Sequence, residues 1–91
     1  MYIVEIKYGY DEEDEFEQLF FNEKENAVKC ALANYQEAFS NCIATSYDGN
    51  MKQYFEDICC TYEDYLKDLE MIKDGDFEDA WISIYKIKTE D

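Results

Sequence analysis

Between Met51 and Lys73, the apolar residues Met51, Phe55, Ile58, Tyr62, Tyr65, Leu69 and Ile72 follow one another in alternating steps of four and three. That spacing keeps them on one face of an α-helix for three heptads. The turns opposite are acidic: Glu56, Glu63 and Glu70 repeat at seven, with Asp57, Asp64 and Asp68 beside them. The stretch predicts one long helix with an apolar spine and a carboxylate back. Asp74-Gly75 should end it, because glycine takes the left-handed conformation that closes a helix. Such a helix would run about 33–36 Å, against about 23 Å for a seven-residue strand. It should therefore overhang any sheet it packs on.

The remainder of the chain offers that sheet. Tyr2 to Tyr8 alternates, with Tyr2, Val4, Ile6 and Tyr8 on one face and Ile3, Glu5 and Lys7 on the other, the pattern of a half-buried strand. Gly9 breaks it. The acidic run Asp11 to Glu15 connects it to a second strand, Phe16 to Phe21, so the simplest arrangement is an antiparallel hairpin with a charged tip. Asn22 with Glu25 three residues on reads as a variant capping box. It opens a first helix whose inward stripe is Val28, Leu32, Tyr35 and Phe39 and which ends near Phe39 or Asn41. Asp48-Gly49-Asn50 is a turn signal. After the long helix, Asp76 to Asp79 reads as a second acidic connection. Ala80 to Lys88 reads as the last strand. Its apolar residues on both faces (Trp81, Tyr85 and Ile87; Ile82 and Ile84) mark it as central or covered on both sides. The expected fold is α+β in the order β-β-α-α-β: a three-stranded, mainly antiparallel sheet packed on one face by two helices, the second long. Its 91 residues form one domain, 1–91.

Charge narrows function more than fold does. There are 23 Asp and Glu against 8 basic residues, a net charge of −15, and every basic residue is lysine. Such a field repels nucleic acid and anionic membrane surfaces and draws in basic surfaces. It exceeds the magnitude of about 2–8 that solubility alone calls for. A hydrophobic share of 47% is enough for a core despite the charge.

The parts of an enzyme are missing. There is no histidine to act as a base and no Gly-x-Ser-x-Gly. The glycines (Gly9, Gly49, Gly75) sit in turns and build no phosphate loop. An EF-hand loop starting at Asp74 would need glycine at 79 and glutamate at 85, where Asp79 and Tyr85 stand. No metal or cofactor is expected. Cys30, Cys42, Cys59 and Cys60 lack metal-binding spacing and read as free thiols of a reducing compartment, with Cys30 in the first helix and Cys59 and Cys60 on the long one. Met1-Tyr-Ile-Val-Glu is not a secretory leader, and no apolar run reaches membrane-spanning length. A cytoplasmic location is expected.

The carboxylates themselves become the candidate surface. On a helix, i+4 neighbours lie about 6 Å apart and i+7 neighbours about 10.5 Å, comparable with the about 6–7 Å between successive phosphates of one DNA strand. A row over Glu56, Asp57, Glu63, Asp64, Asp68 and Glu70 can therefore occupy a lysine- and arginine-lined groove built for nucleic acid. A second candidate patch is Tyr10, Asp11, Glu12, Glu13, Asp14 and Glu15. Tyrosine among acids suits an arginine-rich partner through cation–π contact and ion pairing. The bland reading of both patches is a solvated acidic face.

In length, compact α/β core, clustered acidity such as Tyr10-Asp-Glu-Glu-Asp-Glu15 and lack of a catalytic set, the chain resembles the small acidic anti-CRISPR proteins that phages encode against bacterial defence. The resemblance is one of general character and carries over no individual residue. It implies a non-enzymatic inhibitor, acting in the cytoplasm of an infected host, that blocks a basic nucleic-acid-binding surface of an effector complex. The other reading is a small acidic interaction domain or homodimer that uses the spine of the 51–73 helix.

Overall fold

The structure is a computed structural model and describes residues 1–7, 16–79 and 81–87. In chain order it contains β1 (Tyr2–Lys7), β2 (Phe16–Phe21), α1 (Lys24–Ser46), α2 (Met51–Ile58), α3 (Tyr62–Asp74), β3 (Phe77–Glu78) and β4 (Ile82–Lys86). The strands form a single sheet in the order β2-β1-β4-β3, with every neighbouring pair antiparallel. The fold is α+β, as the alternation and helical periodicity predict, but the described residues form four strands and three helices in place of three and two. The fourth strand is β3. Its two residues lie inside what the sequence presents as an acidic connection, and only the pairing of Phe77 with Ile84 and Glu78 with Ser83 reveals it.

Register follows from the two-residue period of the strands. Val4 faces Leu19 on one side and Ile84 on the other, and Ile6 faces Ile82. These side chains share the face that α1 covers. Val4, Ile82 and Ile84 are buried there in one cluster with Ala27 and Ala31 of α1. Two alanines a turn apart let the helix backbone approach the sheet closely. On the opposite face, Glu5 takes a hydrogen bond from Gln18 Nε2 at 2.7 Å and another from the Tyr85 hydroxyl at 3.2 Å. The central position of β4 and the antiparallel β1–β2 pair agree with the sequence reading. The hairpin tip lies outside the described residues, as do Tyr8, Ala80 and Lys88.

The helices depart most from expectation. α1 does not end near Phe39 or Asn41. It runs 23 residues to Ser46, about 34 Å, and is the helix that overhangs the sheet. Its first half, through Ala27 and Ala31, lies over the strands; its second half buries Tyr35, Phe39 and Ile43, with Phe39 against rings of α2 and α3. Those aromatic and branched residues continue the apolar stripe past Phe39, so the helix continues with them. Its N-cap is Glu23, which makes no side-chain capping bond; the capping box expected from Asn22 and Glu25 does not form.

The long 51–73 helix is two helices. α2 ends at Cys59, a left-handed residue with φ +57°. The Cys59 N–H bonds Glu56 O at 3.3 Å and the Cys60 N–H bonds Phe55 O at 3.2 Å, the paired bonds of a Schellman cap. Thr61 then starts α3 with a capping box. Asp64 N–H donates to Thr61 Oγ1 at 3.3 Å, and Thr61 N–H donates to Asp64 Oδ2 at 2.9 Å. α3 closes at Gly75, φ +83°, as the sequence predicts. The break splits the spine. Tyr65 and Ile72 are buried in the core, whereas Met51, Ile58 and Tyr62 are exposed.

Candidate functional site

The break at Cys59–Thr61 is a corner, and aromatic rings fill its inner side. Phe39 of α1 stacks on Tyr65 of α3 with centroids 3.9 Å apart and planes 20° from parallel. Phe39 also meets Tyr54 edge-on at 5.5 Å and Phe55 at 5.9 Å, so one α1 ring holds both later helices. Tyr35 lies against Tyr65 at 5.8 Å, Phe77 at 5.4 Å and Trp81 at 5.6 Å, which carries the ring network across to the sheet. Pairs of this kind add about 0.5–1.5 kcal/mol each beyond the area they bury. They are the tie between the helical corner and the rest of the domain.

The packing leaves a half-open cavity of about 60 Å³ on the inner side of the corner. Tyr35, Phe39, Tyr54, Phe55 and Tyr65 line it, and Ile58, Cys60 and Thr61 complete the wall. Two carboxylates belong to the lining, Asp64 and Asp68, and no basic residue does. The Tyr35 hydroxyl donates to Asp68 Oδ2 at 2.8 Å. Burial, followed by this bond to a carboxylate, raises the Tyr35 hydroxyl well above the ordinary tyrosine range. Burial likewise pushes Tyr54 up to about 12. Both phenols therefore stay neutral donors at any physiological pH.

The residues named from the sequence fall into separate groups. Glu56 and Asp57 sit exposed on α2, where Asp57 Oδ1 accepts from Gln53 Nε2 at 3.0 Å. Glu63, Asp64 and Glu70 are exposed on α3, and Asp68 is half-buried. Asp64 is engaged in the capping box, Asp68 bonds Tyr35, and Glu70 pairs with Lys73 at 3.3 Å. The carboxylates thus lie on two helix axes rather than one, and the helical spacings apply only within 63–70. Tyr10, Asp11, Glu12, Glu13, Asp14 and Glu15 lie outside the described residues.

Apolar side chains stand among these acids. Ile58 is 42% exposed, Tyr62 49% and Leu66 43%. Sequence reasoning placed Ile58 and Tyr62 on the apolar spine, named Tyr62 among the tyrosines some of which must be at the surface, with Tyr62-Glu-Asp-Tyr65 as a contact candidate, and missed Ile58 as a surface residue. The Thr61-x-x-Asp64 capping pattern is the signal that could have found it, since a helix start at residue 61 rotates the flanking residues off the shared face.

Among the described residues, no group of three or more cysteine, aspartate and glutamate side chains is placed to hold a metal ion. The four cysteines are unpaired thiols, Cys59 and Cys60 exposed at the corner and Cys30 and Cys42 half-buried. Burial raises the Cys30 thiol above its ordinary value, which disfavours the reactive thiolate. No described helix is long and apolar enough to cross a membrane. No protein-family model, curated protein or solved structure matches the chain.

Proposed function

We propose that this chain is a non-enzymatic inhibitor that binds the basic, nucleic-acid-binding surface of another protein, in the manner of the anti-CRISPR proteins it resembles, within a phage-infected bacterial cell. The observation that carries the reading is the surface of the α2–α3 corner. Glu56, Asp57 and Glu63 are exposed there beside Ile58, Tyr62 and Leu66, on a chain of net charge −15. Exposed apolar groups set among charges mainly of one sign suit a protein-binding surface for an oppositely charged partner, Lys67 beside Leu66 being the exception. The acids steer the encounter and the apolar groups supply contact area. The 51–73 stretch forms two helices, with Tyr65 and Ile72 buried and Ile58 and Tyr62 exposed, so the binding surface is argued from the exposed corner rather than from one continuous spine.

Capture from a bacterial lysate, with and without nuclease, tests the reading. The bound protein should be a nucleic-acid-binding protein. Its capture should persist after nuclease, fall with added salt, and fall at least tenfold for the triple variant Glu56→Lys, Asp57→Lys, Glu63→Lys. Asp64 is left intact so that α3 keeps its cap. Addition of the chain should displace nucleic acid from the purified partner. Simultaneous binding of chain and nucleic acid would rule out competition.

A further inference from the structure

We propose that the aromatic cavity on the inner side of the α2–α3 corner is a receptor for a guanidinium group, the side chain of an arginine on the basic partner. The partner's identity rests on the function proposed above; the preference of the cavity for a planar cation does not. Its lining combines the two groups that attract such a cation. Tyr35, Phe39, Phe55 and Tyr65 contribute aromatic side chains, and Asp64 and Asp68 contribute carboxylates. Cation–π attraction is worth about 0.5–2 kcal/mol, more as the site is drier. A charge-assisted bond to carboxylate adds about 1.5–3 kcal/mol.

The cavity has room for such a group and bonding capacity to spare. About 60 Å³ leaves room for roughly four or five water-sized groups, enough to seat a guanidinium. Asp68 accepts the Tyr35 hydroxyl through Oδ2, and a carboxylate has capacity for further donors on its other oxygen. That bond fixes the carboxylate in place before a ligand arrives. Arginine suits the site better than lysine because its flat, weakly hydrated group stacks on rings and forks onto carboxylate, whereas an ammonium must shed more tightly held water. The lining contains no lysine to occupy the site from within the chain, although the sequence has eight.

Titration of the isolated protein with N-acetyl-arginine amide, followed by backbone amide resonances, tests the site without any partner. Saturable shifts should concentrate at Cys60, Thr61, Asp64, Tyr65 and Asp68. The neutral isostere N-acetyl-citrulline amide should produce none of them, and the lysine counterpart should bind several-fold more weakly. Asp68→Asn keeps an acceptor for Tyr35 and removes the charge; it should weaken arginine binding about five- to tenfold. Phe55→Leu, at a half-buried position, keeps an apolar wall, removes a ring and should weaken it about three- to fivefold. Equal shifts with citrulline, shifts spread over distant acids such as Glu25 and Glu37, or indifference to both substitutions would overturn the proposal. The two readings separate cleanly: arginine binding without capture of a basic protein removes the inhibitor function alone, and capture without arginine binding removes the cavity alone.

Discussion

The Tyr35 hydroxyl donates to Asp68 Oδ2 at 2.8 Å, joining the middle of α1 to α3 across 33 residues of chain. The bond sits where the ring network meets the acidic surface, so it belongs to both. Tyr35→Phe keeps the ring and its contacts with Tyr65 and Phe77 but leaves the half-buried Asp68 carboxylate without that donor. The expected loss is about 1–1.5 kcal/mol. It should be read as a lower urea midpoint at an unchanged slope. Asp68→Asn should cost less, since the amide oxygen still accepts. A midpoint unmoved by Tyr35→Phe would show that water replaces the bond without loss.

The buried phenols make stability depend on alkaline pH. Burial raises Tyr35 and Tyr65, the hydrogen bond to Asp68 raises Tyr35 further, and burial pushes Tyr54 to about 12. In the unfolded chain these tyrosines ionise near the ordinary value of about 10. The folded state therefore holds more protons than the unfolded state above that pH. Stability is complete below about pH 10 and falls as pH climbs through the folded value, with a slope of up to about 1.4 kcal/mol per pH unit for each such group. Tyrosinate absorbance should therefore show a late phase, from the buried phenols, that coincides with loss of helical circular dichroism. A single early phase covering all nine tyrosines with the fold intact would contradict the burial of Tyr35 and Tyr54.

Much of the sheet was legible because a period of two leaves little choice once one face is buried. Val4 and Ile6, and Ile82 and Ile84, could only point the same way. Gly75 announced the end of α3 by its type. β3 was not legible: two residues carry no period, and Phe77 becomes a strand residue only by pairing with Ile84. The α2–α3 break was obscured by a true regularity. Ile58 and Tyr62 continue the heptad spacing, but periodicity records residue type and not the destination of the side chain. The local capping signal at Thr61 and Asp64 prevails over it. The candidate site shows the same division. Asp64 and Asp68 were named from their spacing, yet the cavity they line needs Tyr35 and Phe39 from α1, which no local pattern places beside them.

The corner itself is open to test. Cys59 closes α2 in the left-handed conformation at φ +57°, where a residue with a Cβ is disfavoured by roughly 1–2 kcal/mol. Cys59→Gly removes that penalty and adds about 0.5–1 kcal/mol of chain entropy cost, so the net expectation is a gain of about 0.5–1 kcal/mol. Thr61→Ala removes the Oγ1 acceptor of the capping box and should cost about 1 kcal/mol. Thermal melts would show midpoints moving in opposite directions. A continuous 51–73 helix would reverse the first sign, because glycine in a helix interior destabilises, and would make Thr61→Ala neutral or favourable. The pair of variants therefore distinguishes a bent corner from a straight helix without further structural work.

Gly75 combines two constraints that a matched pair of substitutions can separate. Its φ is +83°, and a Cβ there would stand 3.0 Å from Tyr2 Cε2 and 3.2 Å from Lys24 Cε. Gly49 has nearly the same φ, +81°, with nothing within 4 Å of its Cβ position. Gly49→Ala should therefore cost only the backbone penalty, about 1 kcal/mol. Gly75→Ala should cost that and about 1 kcal/mol more, because the Tyr2 ring must move away from the end of α3. The lysine side chain is flexible and can shift with little loss; the ring, packed against the core cluster, cannot shift so freely. Tyr2→Leu in the Gly75→Ala background should recover part of the extra cost and none of the backbone penalty. Chemical denaturation of the four proteins measures each difference. Equal losses at the two glycines would mean that Tyr2 does not rest on Gly75 in solution, and that the first strand is held to the end of α3 by the sheet alone.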